Sequence, residues 1–196
     1  DEFEKNNTET YVYGLEESYG YKVEKEVMDK DGVSAAAMCA EMTLYWASKG
    51  KSILEHLDDM YKEYGFFEDR AISQNFPGSA GKEVMAGIMT KLRTEGLKTL
   101  GGKKVLCIKD IGNSVAYDPA NPDKKTAIPL PKSNVLQFVL EGGTIVSARP
   151  SGTEPKIKFY INARTDAGNG LDKAREESGK VCDAITADIK AMLEKA

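Results

Sequence analysis

Arg149-Pro150-Ser151-Gly152-Thr153-Glu154-Pro155-Lys156 is the stretch on which the fold turns. It follows an apolar, β-prone run, Thr144-Ile145-Val146-Ser147-Ala148, and precedes another at 157–163. A loop between two strands therefore gathers Arg, Ser, Gly and Thr, with Lys156 just beyond. Arg offers a planar fork of donors for a phosphate. Ser and Thr hydroxyls and loop N–H groups can fill the remaining oxygens, and Gly152 would let backbone approach an anion closely. By residue chemistry alone the same stretch also reads as a solvated hairpin loop with an ordinary Arg.

The strands continue outward from this loop. At 156–163 the residues alternate, with Ile157, Phe159 and Ile161 on one face and Lys156, Lys158 and Tyr160 on the other. Glu141-Gly142-Gly143 is hairpin chemistry between strands predicted at 134–140 and 144–149. A fourth short strand is predicted at 105–109. The last segment, 171–193, is helical by period: Leu171, Ala174, Ser178, Val181, Ile185, Ile189 and Met192 share one side. A helix at about 81–94 buries Val84, Ile88 and Leu92. The second half thus predicts α-β-β-β-β-α, a four-stranded antiparallel sheet with two helices on one face. The run 112–132 holds Pro119, Pro122, Pro129 and Pro131 without periodicity and reads as a surface loop.

Upstream, Ala35, Ala36, Ala37 and Ala40 favour a helix at 33–48, closed by Gly50. Ser52-Ile53-Leu54-Glu55 is a capping box that should start another helix, ended by Gly65. His56, the sole histidine, falls between that helix's apolar positions and reads as solvent-facing. The run 66–76 reads as an extended connector closed by Pro77-Gly78, which places a domain boundary there. The predicted organisation is a partial α/β domain with its connector at 1–77 and an α+β domain at 78–196. The chain opens on Asp1 and reads as a piece of a longer protein.

Two stretches together resemble a known family. The Arg149–Lys156 run is similar to the phosphate-binding loop in the last domain of the α-D-phosphohexomutases, the phosphoglucomutases and phosphomannomutases. Tyr13-Gly14-Leu15-Glu16-Glu17-Ser18-Tyr19-Gly20-Tyr21, followed by Asp29-Lys30-Asp31-Gly32-Val33, resembles the sugar-recognition loop of the family's third domain and the helix start after it. The chain would then be the end of the third domain plus the fourth. The residues by themselves favour a polar turn at Glu16-Glu17-Ser18 and a capping role for Asp31. The resemblance instead implies that Glu16 and Ser18 grip sugar hydroxyls, with weaker support for Glu17. It implies that Arg149, Ser151, Gly152 and Thr153, with Lys156 as a lesser candidate, hold the substrate phosphate that is not reacting.

The resemblance further implies an intramolecular phosphotransferase that interconverts hexose 1-phosphate and 6-phosphate. Its cofactors would be Mg²⁺ and a phosphoserine, with glucose 1,6-bisphosphate as activator. The phosphoserine loop and the metal loop of the family match nothing in these 196 residues, so this stretch alone is expected to be inactive and to hold no catalytic residue or metal ligand. Its partners would be the phosphosugar and the N-terminal domains of the same chain. Two alternatives stay open at this level: a stand-alone phosphosugar-binding module, and a structural or interaction domain without catalysis.

Composition excludes other classes. A net charge of -4 lacks the basic excess of a nucleic-acid binder. A hydrophobic content of 41% with 30% charged residues reads as soluble and globular, and no apolar run suggests a membrane span. Cys39, Cys107 and Cys182 are odd in number and sit in apolar stretches. That pattern suits reduced thiols and a cytoplasmic location rather than disulfides or a metal knuckle.

Overall fold

The structure is a computed structural model. It describes residues 11–16, 19–23, 26–27, 29–78 and 80–195. The chain forms two compact units, 1–59 and 60–196.

In the first unit, strands β1 (Gly14–Leu15) and β2 (Tyr21–Lys22) pair antiparallel, with Leu15 opposite Tyr21. Helix α1 (Gly32–Ser48) follows. Asp31 caps it: its carboxylate accepts from the Val33 N–H at 3.0 Å. Hydrogen bonding from Ser34 and then from Val33 holds the Asp31 carboxyl below its ordinary range. Gly50, at φ 73°, closes the helix by donating to the Ala47 carbonyl at 2.9 Å.

Helix α2 (Ile53–Tyr64), within which the two units divide, begins with the expected capping box. The Glu55 N–H donates to Ser52 Oγ at 3.2 Å, and the Ser52 N–H returns to Glu55 Oε2 at 2.7 Å. His56 is stacked on Trp46, ring centroids 3.6 Å apart, rather than turned wholly to solvent. The Ser52 backbone and then its hydroxyl lower the Glu55 carboxyl below 4.5. A carboxyl lowered in the folded state stabilises it above the unfolded value and loses that effect as pH falls through the folded one. A Glu55→Gln protein is therefore expected to be less stable than the wild type at neutral pH. The gap should close well below pH 4.5, which thermal melts across pH would check.

The second unit is built on one antiparallel sheet. Along its path run β3 (Phe66–Asn75), β10 (Lys156–Thr165), β9 (Ile145–Pro150), β8 (Leu136–Leu140), β5 (Lys103–Asp110), β6 (Val115–Tyr117) and β7 (Lys125–Ala127). A short β4 (Thr99–Leu100) pairs with β5 off this path. The four expected strands are β5, β8, β9 and β10, adjacent in the sheet as an α+β fold requires. Helices α3 (Gly81–Thr94) and α4 (Leu171–Leu193) supply Ile88, Met89, Leu92, Cys182, Ile185 and Ile189 to the core against Val105, Ile108, Phe138, Val146, Phe159 and Ile161. The strand residues between these point to the opposite, open face.

The sheet extends past the expected four strands on both sides. Residues 66–75, read from the sequence as a connector, pair with β10 along their whole length, Phe66 opposite Thr165 to Asn75 opposite Lys156. The strand pattern was hidden because two inward positions, Glu68 and Arg70, are charged. Both are partnered: Arg70 Nε lies 2.7 Å from Glu68 Oε1, and Arg70 Nη1 lies 2.5 Å from Asp183 Oδ1 on α4. On the other side the Pro-rich run 112–132 contains the β6–β7 hairpin, Ala116 opposite Thr126. Strands of three residues separated by prolines are too short to show a period.

Candidate functional site

Loop 151–155 joins β9 to β10. The Ser151 N–H donates to the Lys156 carbonyl at 2.8 Å, and the Lys156 N–H donates to the Glu154 carbonyl at 2.8 Å. Ser151 Oγ accepts from the Glu154 N–H at 3.2 Å. A hydroxyl that accepts in this way keeps its own O–H as a donor. The N–H groups of Gly152 and Thr153 have no hydrogen bond among the described residues. Gly152 is exposed, and a Cβ there would meet nothing within 4 Å. Packing within the chain therefore does not demand glycine; its effect is to leave the loop surface open.

Register sets the charges beside this loop. Arg149, the next to last residue of β9, stands directly opposite Lys158 on β10, so both project from the open face. Directly opposed like charges are destabilising. Neither has a carboxylate partner among the described residues; Lys158 lies 5.7 Å from the Tyr160 ring centroid. Two unneutralised cations, the Ser151 and Thr153 hydroxyls and two unengaged N–H groups form a donor-rich surface suited to a phosphate. Lys156 stands differently: its ammonium is ion-paired with Glu154.

Arg149, Ser151, Gly152, Thr153 and Lys156, the residues expected from the sequence, all lie in or beside one loop. Lys158, which the register brings beside that loop, was not among them. The signal was the alternation along β10 combined with a register count back from the loop.

In the first unit, Glu16 follows β1, and its N–H donates to the Gly20 carbonyl at 2.8 Å. Tyr19 holds the turn with φ 64°, a conformation costly for a bulky residue. Lys30 Nζ lies 3.5 Å from Glu16 Oε2 and 3.7 Å from Asp29 Oδ1. It crosses Gly20 so closely that a Cβ there would lie 2.8 Å from the lysine chain. A side chain at Gly20 would push aside the flexible ends of Lys30 and Glu16, so glycine leaves room for the pair as it stands. Tyr11, Glu16, Gly20, Tyr21, Asp29 and Lys30 help line a cavity of about 260 Å³. Glu17 and Ser18 lie outside the described residues.

Among the described residues no three His, Cys, Asp or Glu side chains could together hold a metal ion. The Mg²⁺ that the resemblance implies finds no ligand set among those residues. Among the described residues no helix is long and apolar enough to cross a membrane.

Comparison with known proteins agrees with the two motifs. Residues 2–64 match the domain described as phosphoglucomutase/phosphomannomutase, alpha/beta/alpha domain III, and residues 89–176 match the phosphoglucomutase/phosphomannomutase C-terminal domain. The chain belongs to the phosphoglucomutase/phosphomannomutase family and carries these two domains in the family's order. Among its relatives is a phosphoglucomutase of Staphylococcus haemolyticus, 31% identical over 163 residues, covering 83% of this chain and 29% of the relative. A Staphylococcus aureus phosphoglucomutase is 36% identical over 157 residues, covering 78% of this chain and 27% of the relative. The chain therefore spans under a third of the length of these relatives. A solved structure of pp63/parafusin, a phosphoglucomutase from Paramecium in an open form, is similar at 19% identity and a TM-score of 0.48, covering 86% of this chain and 29% of that one.

Proposed function

We propose that the chain supplies the substrate-gripping parts of a phosphohexomutase, an enzyme that interconverts hexose 1-phosphate and hexose 6-phosphate through a bisphosphorylated intermediate. The opposed pair Arg149 and Lys158, without a carboxylate partner among the described residues, carries this reading. Like charges held in register are a standing cost that a bound dianion offsets. Arg149, Ser151, Thr153 and the N–H groups around Gly152 hold the phosphate that is not reacting. Lys156 acts through its pair with Glu154, shaping the loop. The phosphate-binding role falls to 78–196 and sugar recognition to 1–77. There Glu16 accepts hydrogen bonds from sugar hydroxyls, Ser18 shares that role, and Glu17 flanks them.

Phosphate anchoring contributes orientation. Holding a substrate in a reactive geometry can lower a barrier by several kcal/mol, up to roughly 7–11. The sugar must turn around between two phosphoryl transfers, so one loop must accept either phosphate. A cluster of donors without shape-specific contacts to the sugar suits that requirement. The phosphoryl transfer itself, with its phosphoserine, Mg²⁺ and glucose 1,6-bisphosphate activator, belongs to the N-terminal domains of the same enzyme. The free thiols of Cys39, Cys107 and Cys182 fit a reducing cytoplasm.

The test compares ligands. Glu16→Ala is expected to weaken binding of glucose 1-phosphate by roughly 10- to 150-fold, the loss of one hydrogen bond to a charged group at about 1.5–3 kcal/mol. Binding of inorganic phosphate should be unchanged. Calorimetric titration of both ligands against wild type and variant decides it. Equal losses for the two would show that Glu16 acts through folding and not through the sugar.

A further inference from the structure

The open sheet face carries more positive charge than the phosphate loop uses. One row inward from Arg149 and Lys158, the register aligns Lys109 on β5, Gln137 on β8, Ser147 on β9 and Tyr160 on β10. All four are partly exposed. Gln137 Nε2 donates to Ser147 Oγ at 3.2 Å, which leaves the Ser147 O–H and one amide N–H of Gln137 to donate elsewhere. Lys109 has no ion pair or hydrogen bond from its ammonium among the described residues. The row ends in small residues: Ala116 stands beside Lys109 and Ala71 beside Tyr160. The acid on this face in the next row, Asp69, accepts from Asn162 at 2.6 Å and lies four strands from Lys109. A chain of net charge -4 thus keeps Lys109, Arg149 and Lys158 together on one sheet face without a carboxylate between them.

We propose that Lys109, Gln137, Ser147 and Tyr160 form a second anion subsite, which takes a phosphate group beside the one held at Arg149. It rests on the function proposed above in taking phosphate as the ligand. Lys109 and Arg149 stand two strands and one row apart, about 12 Å between Cα atoms from ordinary sheet spacings. Both side chains are long enough to meet over that span, so one phosphate shared by Lys109 and Arg149 is the competing outcome, and it would show as loss of both sets of shifts in Arg149→Ala. Lys109 supplies the charge, and Ser147, Gln137 and Tyr160 supply neutral donors.

The experiment is a titration of the 196-residue chain with inorganic phosphate, followed by amide chemical shifts. Two sets of shifts are expected, one at Gly152 and Thr153 and one at Gln137 and Ser147. Lys109→Glu should abolish the second set, with a loss of affinity of about tenfold or more, and leave the first. Lys109→Arg should keep both. Arg149→Ala should abolish the first set and spare the second, so failure of the loop assignment is distinguished from failure of this one. A hexose bisphosphate then identifies the occupant. Tighter binding than a monophosphate, by an increment that Lys109→Glu removes, points to the second phosphate of one ligand; equal affinity points to free phosphate. Absence of shifts at Gln137 and Ser147, or shifts there that survive Lys109→Glu in a protein with unchanged melting temperature, would overturn the proposal.

Discussion

Arg149→Ala is expected to weaken phosphate binding by roughly 10- to 150-fold, the equivalent of about 1.5–3 kcal/mol for a charge-assisted hydrogen bond. The residue is exposed, and no ion pair within the described residues depends on it, so the fold should not change. Melting temperature should even rise slightly, because Lys158 loses the like charge opposite it. That combination, weaker binding with equal or greater stability, separates a ligand-binding cation from a structural one. Arg149→Lys should recover only part of the affinity, since a point charge cannot copy a bidentate fork. In the enzyme that contains these domains, the same substitution should raise KM and lower turnover. Titration with phosphate and a thermal melt of the same samples check the first part, and unchanged affinity would remove the loop from the site.

Phe138→Ala is the substitution expected to damage stability most. Phe138 lies on β8, between β5 and β9, and is 0% exposed. Its truncation removes a large apolar side chain and leaves a cavity in a close-packed layer, at about 3–5 kcal/mol. For a domain of this size that lowers the melting temperature by roughly 10 °C or more. Calorimetry should show the loss in the transition of the unit 60–196. A shift of only a degree or two would mean that the sheet and helices do not melt as one cooperative body.

On the proposed function, binding and stability divide between the two faces of one sheet. On β9, Val146 and Ala148 face the helices and are 0% exposed, while Ser147 and Arg149 face outward. The chain can change the outward residues without cost to the core. The alternation that makes the strand also separates the two tasks.

Much of this was legible in the sequence because it is local. The loop proposed to hold phosphate lies within eight consecutive residues, and its donors were readable from residue type. The helix caps and periods were equally local: Ser52 and Glu55 are three residues apart, and Asp31 immediately precedes the helix that it caps. The strands β8, β9 and β10 bury residues at alternate positions, Leu136, Phe138 and Leu140 on β8, because one face is packed. What tertiary structure decided is non-local. Strand β3 is a strand because β10 offers it ten residues of backbone partners, and its inward Glu68 and Arg70 are tolerable because Asp183, distant in sequence, completes the pairing. The opposition of Lys158 to Arg149, and of Lys109 to Gln137, is a matter of register. A shift by one residue would turn every side chain to the other face. Residue types along one strand specify what it can bury or bind. Which charges meet across strands is settled only when the backbone hydrogen bonds fix that register.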